Sequence, residues 1–265
     1  MKQRLDVLLV SQGYFPSRER AQSAIRAGLI TVGGICETRP GAKVEDDIIP
    51  KVTGELCPYV SRGGLKLQKA LEAFSVSPEG KICADAGAST GGFTDCLLQH
   101  GARHVYAIDV GTAQLAEILT HDPRVTVMEQ TNLRTLQKKD LPESPELFTL
   151  DLSFISLRLV LPVVRELLDP AGCCLCLIKP QFEAGREAVG KKGVVHGKDT
   201  HTAVLRRFLE DAAEAGFAVR DLTWSPLIGP EGNIEFLGHL LPAEAPKNVL
   251  DASSVVHQAY RELKG

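Results

Sequence analysis

The segment that most constrains this chain is Asp85-Ala86-Gly87-Ala88-Ser89-Thr90-Gly91-Gly92-Phe93. A short, mainly apolar run (Lys81-Ile82-Cys83-Ala84) precedes it, and a helical pattern from Thr94 to about His100 follows. Strand, glycine-rich turn and helix, in that order, mark the place where a doubly wound α/β sheet receives a nucleotide-like ligand. Glycines let the backbone approach the ligand, and the helix behind them offers free N–H groups. The spacing is neither the pyrophosphate fingerprint G-x-G-x-x-G nor the P-loop G-x-x-x-x-G-K-[ST]. Asp85 ends the first strand and Asp109 ends the next, His104 to Asp109, where an acid suits a ribose diol. The alternative to a dinucleotide is a nucleoside carrying little negative charge, and S-adenosylmethionine is such a molecule. The alternative is a purely structural tight turn.

Around that turn, apolar runs alternate with helical periodicity. Strands are expected at 82–86, 104–109, 125–129, 147–152, 173–179, 217–224 and 234–241. Helices are expected at 65–74, 93–100, 113–119, 157–168 and 201–215. This alternation predicts a Rossmann-like α/β fold, a mainly parallel sheet covered on both faces. Seven strands is the count of a methyltransferase sheet, whose last strand runs antiparallel.

The first ~50 residues read differently. Arg4–Gln12 is a short amphipathic helix ended by Gly13, and Ser17 caps a second helix over Arg18–Ala27, ended by Gly28. Leu29–Val32 and Ile35–Cys36 form a hairpin around Gly33-Gly34. Residues 1–60 carry eight basic and seven acidic side chains, with Arg18, Arg20 and Arg26 on or beside the second helix. Those arginines are either a solvated helix face or an RNA-phosphate footprint. Residues 51–60, with Pro50, Gly54 and Pro58, read as a connector.

With 44% hydrophobic residues and a net charge of −3, the chain resembles ordinary soluble proteins, and any nucleic-acid surface must be local. No apolar stretch approaches the ~20 residues of a spanning helix. The N-terminus does not read as a signal peptide, so a cytoplasmic protein is expected. The seven cysteines are then expected as thiols. Cys173 and Cys176 have C-x-x-C spacing but sit in a buried-strand pattern, which points to core packing rather than a metal or redox role. His196 and His201 lack a ligand pattern, and no metal is expected.

The carboxyl ends of such strands line the active crevice. Asp85, Asp109, Asp151 and Lys179 stand there. Glu235 joins them if the last strand is antiparallel, and Lys66, on the preceding helix, reaches in from the side. Such a set suits a reaction in which a poor nucleophile, such as a ribose 2′-hydroxyl, must be oriented and lose its proton. A structural ion pair at the sheet edge is the other reading of Asp151 and Lys179. Lys69 reads as a solvated charge. The segment Gly185–Gly197, with Arg186, Lys191 and Lys192, reads either as a loop folding over a substrate backbone or as a mobile surface loop. Pro226–Asn233 is a turn series that positions Glu235.

These residues carry a family resemblance. S-R-G-G-L-K-L at 61–67, D-A-G-A-S-T-G-G-F-T at 85–94, D-L-S-F-I-S at 151–156, K-P-Q-F at 179–182, G-V-V-H at 193–196 and G-P-x-G-N-x-E at 229–235 resemble the TlyA (hemolysin A) family of RNA ribose methyltransferases. The N-terminal R-L-D-V-L-L-V and I-R-A-G-L-I-T-V-G-G are similar to the RNA-binding domain of the ribosomal protein S-four type. The resemblance implies an RNA-binding domain over 1–58, an FtsJ-like methyltransferase domain over 59–245 and a C-terminal helical tail over 246–265. It implies S-adenosylmethionine-dependent 2′-O-methylation of a cytidine ribose in ribosomal RNA, with ribosomal subunits as partners. Lys66, Asp151, Lys179 and Glu235 match the family's catalytic tetrad, in which Lys179 activates or stabilises the 2′-oxygen, Asp151 and Glu235 hold it, and Lys66 orients the ribose. Cofactor contacts are expected from Asp85, Gly87, Ser89, Gly91, Gly92, Phe93, Asp109, Val110, Asn132 and Asp151, and RNA contacts from Arg4, Arg18, Arg20, Arg26 and Arg62. The chain departs from the family at Cys57-Pro58-Tyr59-Val60, which lacks the Arg and Trp expected at the domain junction. Two rival functions are a membrane-lytic toxin, as the hemolysin name suggests, and a non-catalytic rRNA-binding assembly factor; an intact tetrad weighs against the second. A base-modifying methyltransferase would carry an Asn/Asp-Pro-Pro-aromatic motif where this chain has Asp151-Leu152-Ser153-Phe154.

Overall fold

The computed structural model describes residues 2–26, 28–53, 57–244 and 250–264. The chain divides into two compact units, Met1–Cys57 and Pro58–Gly265.

In the smaller unit, helices Leu5–Ser11 and Arg18–Arg26 pack through Leu5, Leu8, Leu9, Ala24 and Ile25. The Ser17 hydroxyl accepts from the Arg20 amide at 3.3 Å, the expected cap. The last residue of the expected second helix, Ala27, lies outside the described residues. Ile30–Val32 and Ile35–Cys36 pair antiparallel around Gly33 and Gly34, both with positive φ as the two-residue turn requires. Two further pairings were not legible in the sequence. Lys2–Arg4 lies against Lys43–Glu45, and Lys51–Val52, at the start of the expected connector, adds to Ile30–Val32. Segments of two or three residues are too short to show a period.

The larger unit is built on one sheet of seven strands: β1 (Ile82–Ala86), β2 (His104–Ile108), β3 (Val125–Met128), β4 (Leu147–Leu150), β5 (Cys173–Ile178), β6 (Phe217–Trp224) and β7 (Phe236–Pro242). Their order is β6-β7-β5-β4-β1-β2-β3. β5-β4-β1-β2-β3 run parallel, and β7 is antiparallel to both of its neighbours, as the sequence reading expected. The central strands are buried on both faces, which is why they read as continuous apolar runs rather than alternating ones. All six residues of β5 are buried, and Cys174 and Cys176 sit in the main core with Phe148, Leu150 and Phe236. The helix Ala252–Lys264 joins that core through Ala252, Val256 and Ala259; residues 246–249 and 265 of the expected tail lie outside the described residues. On the far side of the junction, Tyr59 is buried and the Val60 amide donates to Asp95 at 2.7 Å.

Three elements differ from the periodic reading. The helix expected over 113–119 shrinks to Glu117–Thr120, because Ala113 is left-handed (φ +52°); the Glu129 carboxylate holds this turn by accepting from the amides of Ala113 (2.6 Å) and Gln114 (2.9 Å). The one expected over 157–168 splits into a 3₁₀ turn, Leu157–Leu159, and a helix, Leu161–Leu167, since Pro162 lacks an N–H and fits only in a first turn. The last strand begins at Phe236, leaving Ile234 and Glu235 in the approach to it.

Candidate active site

The glycine turn after β1 is shaped by contact with β4. Gly87 has φ +83°, and a Cβ there would run into the Asp151 carbonyl oxygen. Gly91, φ +97°, caps helix Gly92–Gln99; a Cβ there would collide with the Leu119 side chain. The turn is tied to β2 as well. Asp109 accepts from the Ser89 amide at 2.8 Å and from the Gly111 amide at 2.7 Å. Each of its oxygens keeps a lone pair for a further donor.

Asp85 lies beneath the turn, fully buried. Thr94 Oγ1 donates to it at 2.7 Å and Thr149 Oγ1 at 2.9 Å. Burial pushes its pKa up to about 7, against the opposing effect of the two hydroxyl donors.

A cavity of about 400 Å³ opens along this edge, walled by Gly87, Ser89, Asp109, Val110, Asn132 and Asp151, with Leu133 and Ile155 on its apolar side. The residues fit S-adenosylmethionine: an acid placed for a ribose diol, an apolar wall for an adenine, and a turn whose nine residues include no cation to meet a phosphate. Gly92 and Phe93 line an adjoining cavity of about 230 Å³ with Lys66 and Arg62. Asp85 and Gly91 line neither and support the turn from below and behind.

A third cavity, of about 540 Å³, has all four expected catalytic residues in its lining. Lys179 Nζ lies 2.6 Å from Asp151 Oδ1, and Lys66 Nζ lies 2.6 Å from Glu235 Oε2. The tetrad is therefore two ion pairs. Strand register explains the convergence. Leu150 and Cys176 are parallel partners, which brings the ends of β4 and β5 together. Ile178 pairs with Phe236 of the reversed strand, which puts Glu235 at the same edge. Lys66 comes from helix Gly63–Phe74. Gly87, Ser89 and Asp151 belong to all three cavities, so Asp151 stands where they meet.

Three residues here escaped the sequence reading as individual site members. Ser153 Oγ accepts from Lys179 Nζ at 3.0 Å. Phe154 is 92% exposed in a left-handed conformation (φ +65°) in the walls of two cavities, its ring 5.3 Å from that of Phe182. Both lie inside D-L-S-F-I-S, and an exposed aromatic after a strand end was the signal available. Asn233 is buried, and its side chain accepts from the Val195 amide and donates to the Gly193 carbonyl, both at 2.9 Å. Lys69 corrects an expectation: it is half-buried with its ammonium 4.2 Å from the Trp224 ring centroid, and burial lowers its pKa.

In the smaller unit, Asp6 is fully buried and accepts from Arg4 (2.9 and 3.0 Å), Arg18 (3.1 Å) and Gln22 (2.8 Å). The Arg4 guanidinium, first among these donors, holds its carboxyl well below the usual carboxylate range. Arg4 and Arg18 keep about half of their side-chain surface exposed. Arg26 is exposed, whereas Arg20 donates to the Cys57 carbonyl at 2.9 Å. Arg62 is exposed, at the start of helix Gly63–Phe74.

A reversed seventh strand, a glycine turn at the carboxyl edge and an acid after β2 define the fold of S-adenosylmethionine-dependent methyltransferases. A solved structure titled "Crystal structure of putative S-adenosylmethionine dependent methyltransferase from Listeria monocytogenes" shares it at TM-score 0.52 and 15% identity, covering 69% of this chain and 99% of that one. The FtsJ-like methyltransferase model matches residues 59–240 and the S4 domain model residues 3–47. The chain belongs to the FtsJ-like methyltransferase family, in the branch that includes TlyA and hemolysin A, and carries an N-terminal S4 domain. It is 49% identical over 269 residues to "Putative rRNA methyltransferase YqxC" of Bacillus subtilis (99% of this chain, 96% of that one). It is 40% identical over 261 residues to "16S/23S rRNA (cytidine-2'-O)-methyltransferase TlyA" of Mycobacterium tuberculosis (98% and 97%).

Proposed function

We propose that this protein transfers a methyl group from S-adenosylmethionine to the 2′-oxygen of a cytidine in ribosomal RNA, in the cytoplasm. The observation that carries the reading is the Lys179–Asp151 pair, 2.6 Å apart at the point where the cavity lined by Asp109 and Asn132 meets the cavity holding Lys66 and Glu235. When bound, S-adenosylmethionine supplies an electrophilic methyl on a sulfonium. Gly87, Ser89, Asp109, Val110 and Asn132 would hold it, with Asp109 on the ribose diol.

The protein's own residues then have two tasks. Lys179 directs its ammonium at the ribose oxygen and stabilises the negative charge that develops as the hydroxyl proton passes to water in the cavity; Asp151 and Ser153 fix the lysine's position. Lys66, held by Glu235, donates to the target ribose and sets its approach. Phe154 offers a free aromatic face for the target base. Arg4, Arg18, Arg20 and Arg26 of the S4 domain, with Arg62 of the larger unit, meet RNA phosphates.

A membrane-lytic role is disfavoured. Among the described residues no helix is long and apolar enough to cross a membrane, and the apolar face of helix Ala252–Lys264 is used in the core. The test is transfer of radiolabelled methyl to unmodified ribosomal subunits and naked rRNA, followed by alkaline hydrolysis. Label in an alkali-resistant dinucleotide supports the reading. Label in a mononucleotide moves the chemistry to a base and refutes it.

A further inference from the structure

We propose that the turn Gly190–Gly193 is a second RNA-backbone contact, carried by the methyltransferase unit beside its active cavity and held in place by Asn233. The inference rests on the RNA reading above.

Val189 and Val195 form an antiparallel bridge. Gly190 donates to the Val194 carbonyl at 3.0 Å and Gly193 donates to the Gly190 carbonyl at 2.8 Å, which closes a four-residue turn. Lys191 and Lys192 occupy its two central positions, and both are exposed. From Gly185 to Lys198 the chain carries Arg186, Lys191, Lys192 and Lys198 against the single acid Glu187, while the whole protein is net negative at −3. Among the described residues no carboxylate pairs with Arg186, Lys191 or Lys192. A local cationic tip on an acidic protein, with its charges free, suits a polyanion.

Two features make this a placed tip rather than a loose one. Val189 and Gly193 are in the wall of the cavity that contains Lys179 and Glu235. Asn233, 1% exposed and two residues before Glu235, bonds both Val195 and Gly193 through its side chain, and its carbonyl accepts from Gly229 at 2.8 Å. One buried amide thus ties the lysine turn to the loop that delivers Glu235. Lysines act as point charges on phosphate, so the contact sets position along the strand flanking the target nucleotide and reads no base.

The test is the K191A/K192A double variant of the full-length protein, assayed for methyl transfer to unmodified naked rRNA over a range of salt concentrations. KM is expected to rise about tenfold, the slope of log affinity against log salt to fall by about two, and cofactor affinity to stay at the wild-type value. Asn233→Ala is expected to raise KM and flatten the same slope with both lysines present, a change that a general loss of stability would not produce. Wild-type KM and slope in the double variant, with the wild type active, would overturn the turn's role alone. An effect confined to assembled subunits, with no change of salt slope, would assign the turn to a ribosomal protein and overturn the RNA contact. If the wild type labels no RNA, the functional reading itself fails and this contact falls with it.

Discussion

Thr94, from the helix after the glycine turn, donates its hydroxyl to the buried carboxylate of Asp85 at the end of β1 at 2.7 Å. Thr149 of β4 holds the other oxygen at 2.9 Å. The floor of the turn is a hydrogen-bonded acid without access to solvent, and it titrates where a surface aspartate would not.

This gives a stability prediction whose sign is fixed. Asp85 has a folded pKa of about 7. An unfolded aspartate titrates near about 3.9. Between those values the folded state binds the extra proton, so this residue's contribution to stability falls as pH rises from 4 to 7 and is flat above. Asp85→Asn should gain on the wild type across that interval. Denaturant titrations of both proteins from pH 4 to pH 8 check it; a constant difference would contradict it.

Asp6 predicts the opposite slope. Its folded pKa is depressed, so its contribution is present at neutral pH and is lost as pH falls through and below the ordinary aspartate range. Asp6→Asn should lower the unfolding temperature of the full chain at pH 7, by an amount that begins to shrink only as pH falls below about 4. It should also weaken rRNA binding, because Arg4 and Arg18 lose the carboxylate that orients them.

Lys179→Ala should reduce methyl transfer by about 10²- to 10⁴-fold while S-adenosylmethionine affinity is retained. Single-turnover transfer and equilibrium dialysis separate the two. Full activity in a folded Lys179→Ala protein would remove the proposed mechanism.

Phe154 combines exposure with a left-handed backbone, a conformation that costs a non-glycine residue about 1–2 kcal/mol. Glycine's entropic cost of roughly 0.5–1 kcal/mol offsets part of that relief, so Phe154→Gly should raise the melting temperature by about 1–4 °C. The same change should raise KM for RNA about tenfold by removing a stacking face. Opposite movements of stability and activity are the expected signature.

Of the seven cysteines, only Cys36 is exposed and Cys57 half-buried. Burial pushes the thiols of Cys83 and Cys96 up to about 12. A maleimide at pH 8 should label Cys36 first and Cys57 more slowly in the native protein, with all seven reacting in guanidinium.

The parts of this molecule legible in its sequence are those with a long period or a steric demand. β1, β4 and β5 announce themselves as apolar runs because both of their faces are covered, and Gly87 because no side chain fits against Asp151. Glu235 was legible only through the assumption that the last strand is reversed. Features set by one long-range bond were not. Glu129 holds the left-handed turn at Ala113, Asn233 joins two loops, and Trp224 covers Lys69. Each partner is distant in sequence and has no periodic trace.

The reversed strand also sets when the proposed catalytic set is complete. Lys66 meets Glu235 across 169 residues, and β7 is inserted between β5 and β6 rather than added at an edge. A nascent chain emerging from the ribosome can complete the turn after β1 and the Asp151–Lys179 pair while its last third is still being made. It cannot complete the Lys66–Glu235 pair until β7 has left the exit tunnel and threaded into the sheet, a non-local step that is slow to form. If the pair has the role proposed above, synthesis order withholds activity from a polypeptide that lacks β7.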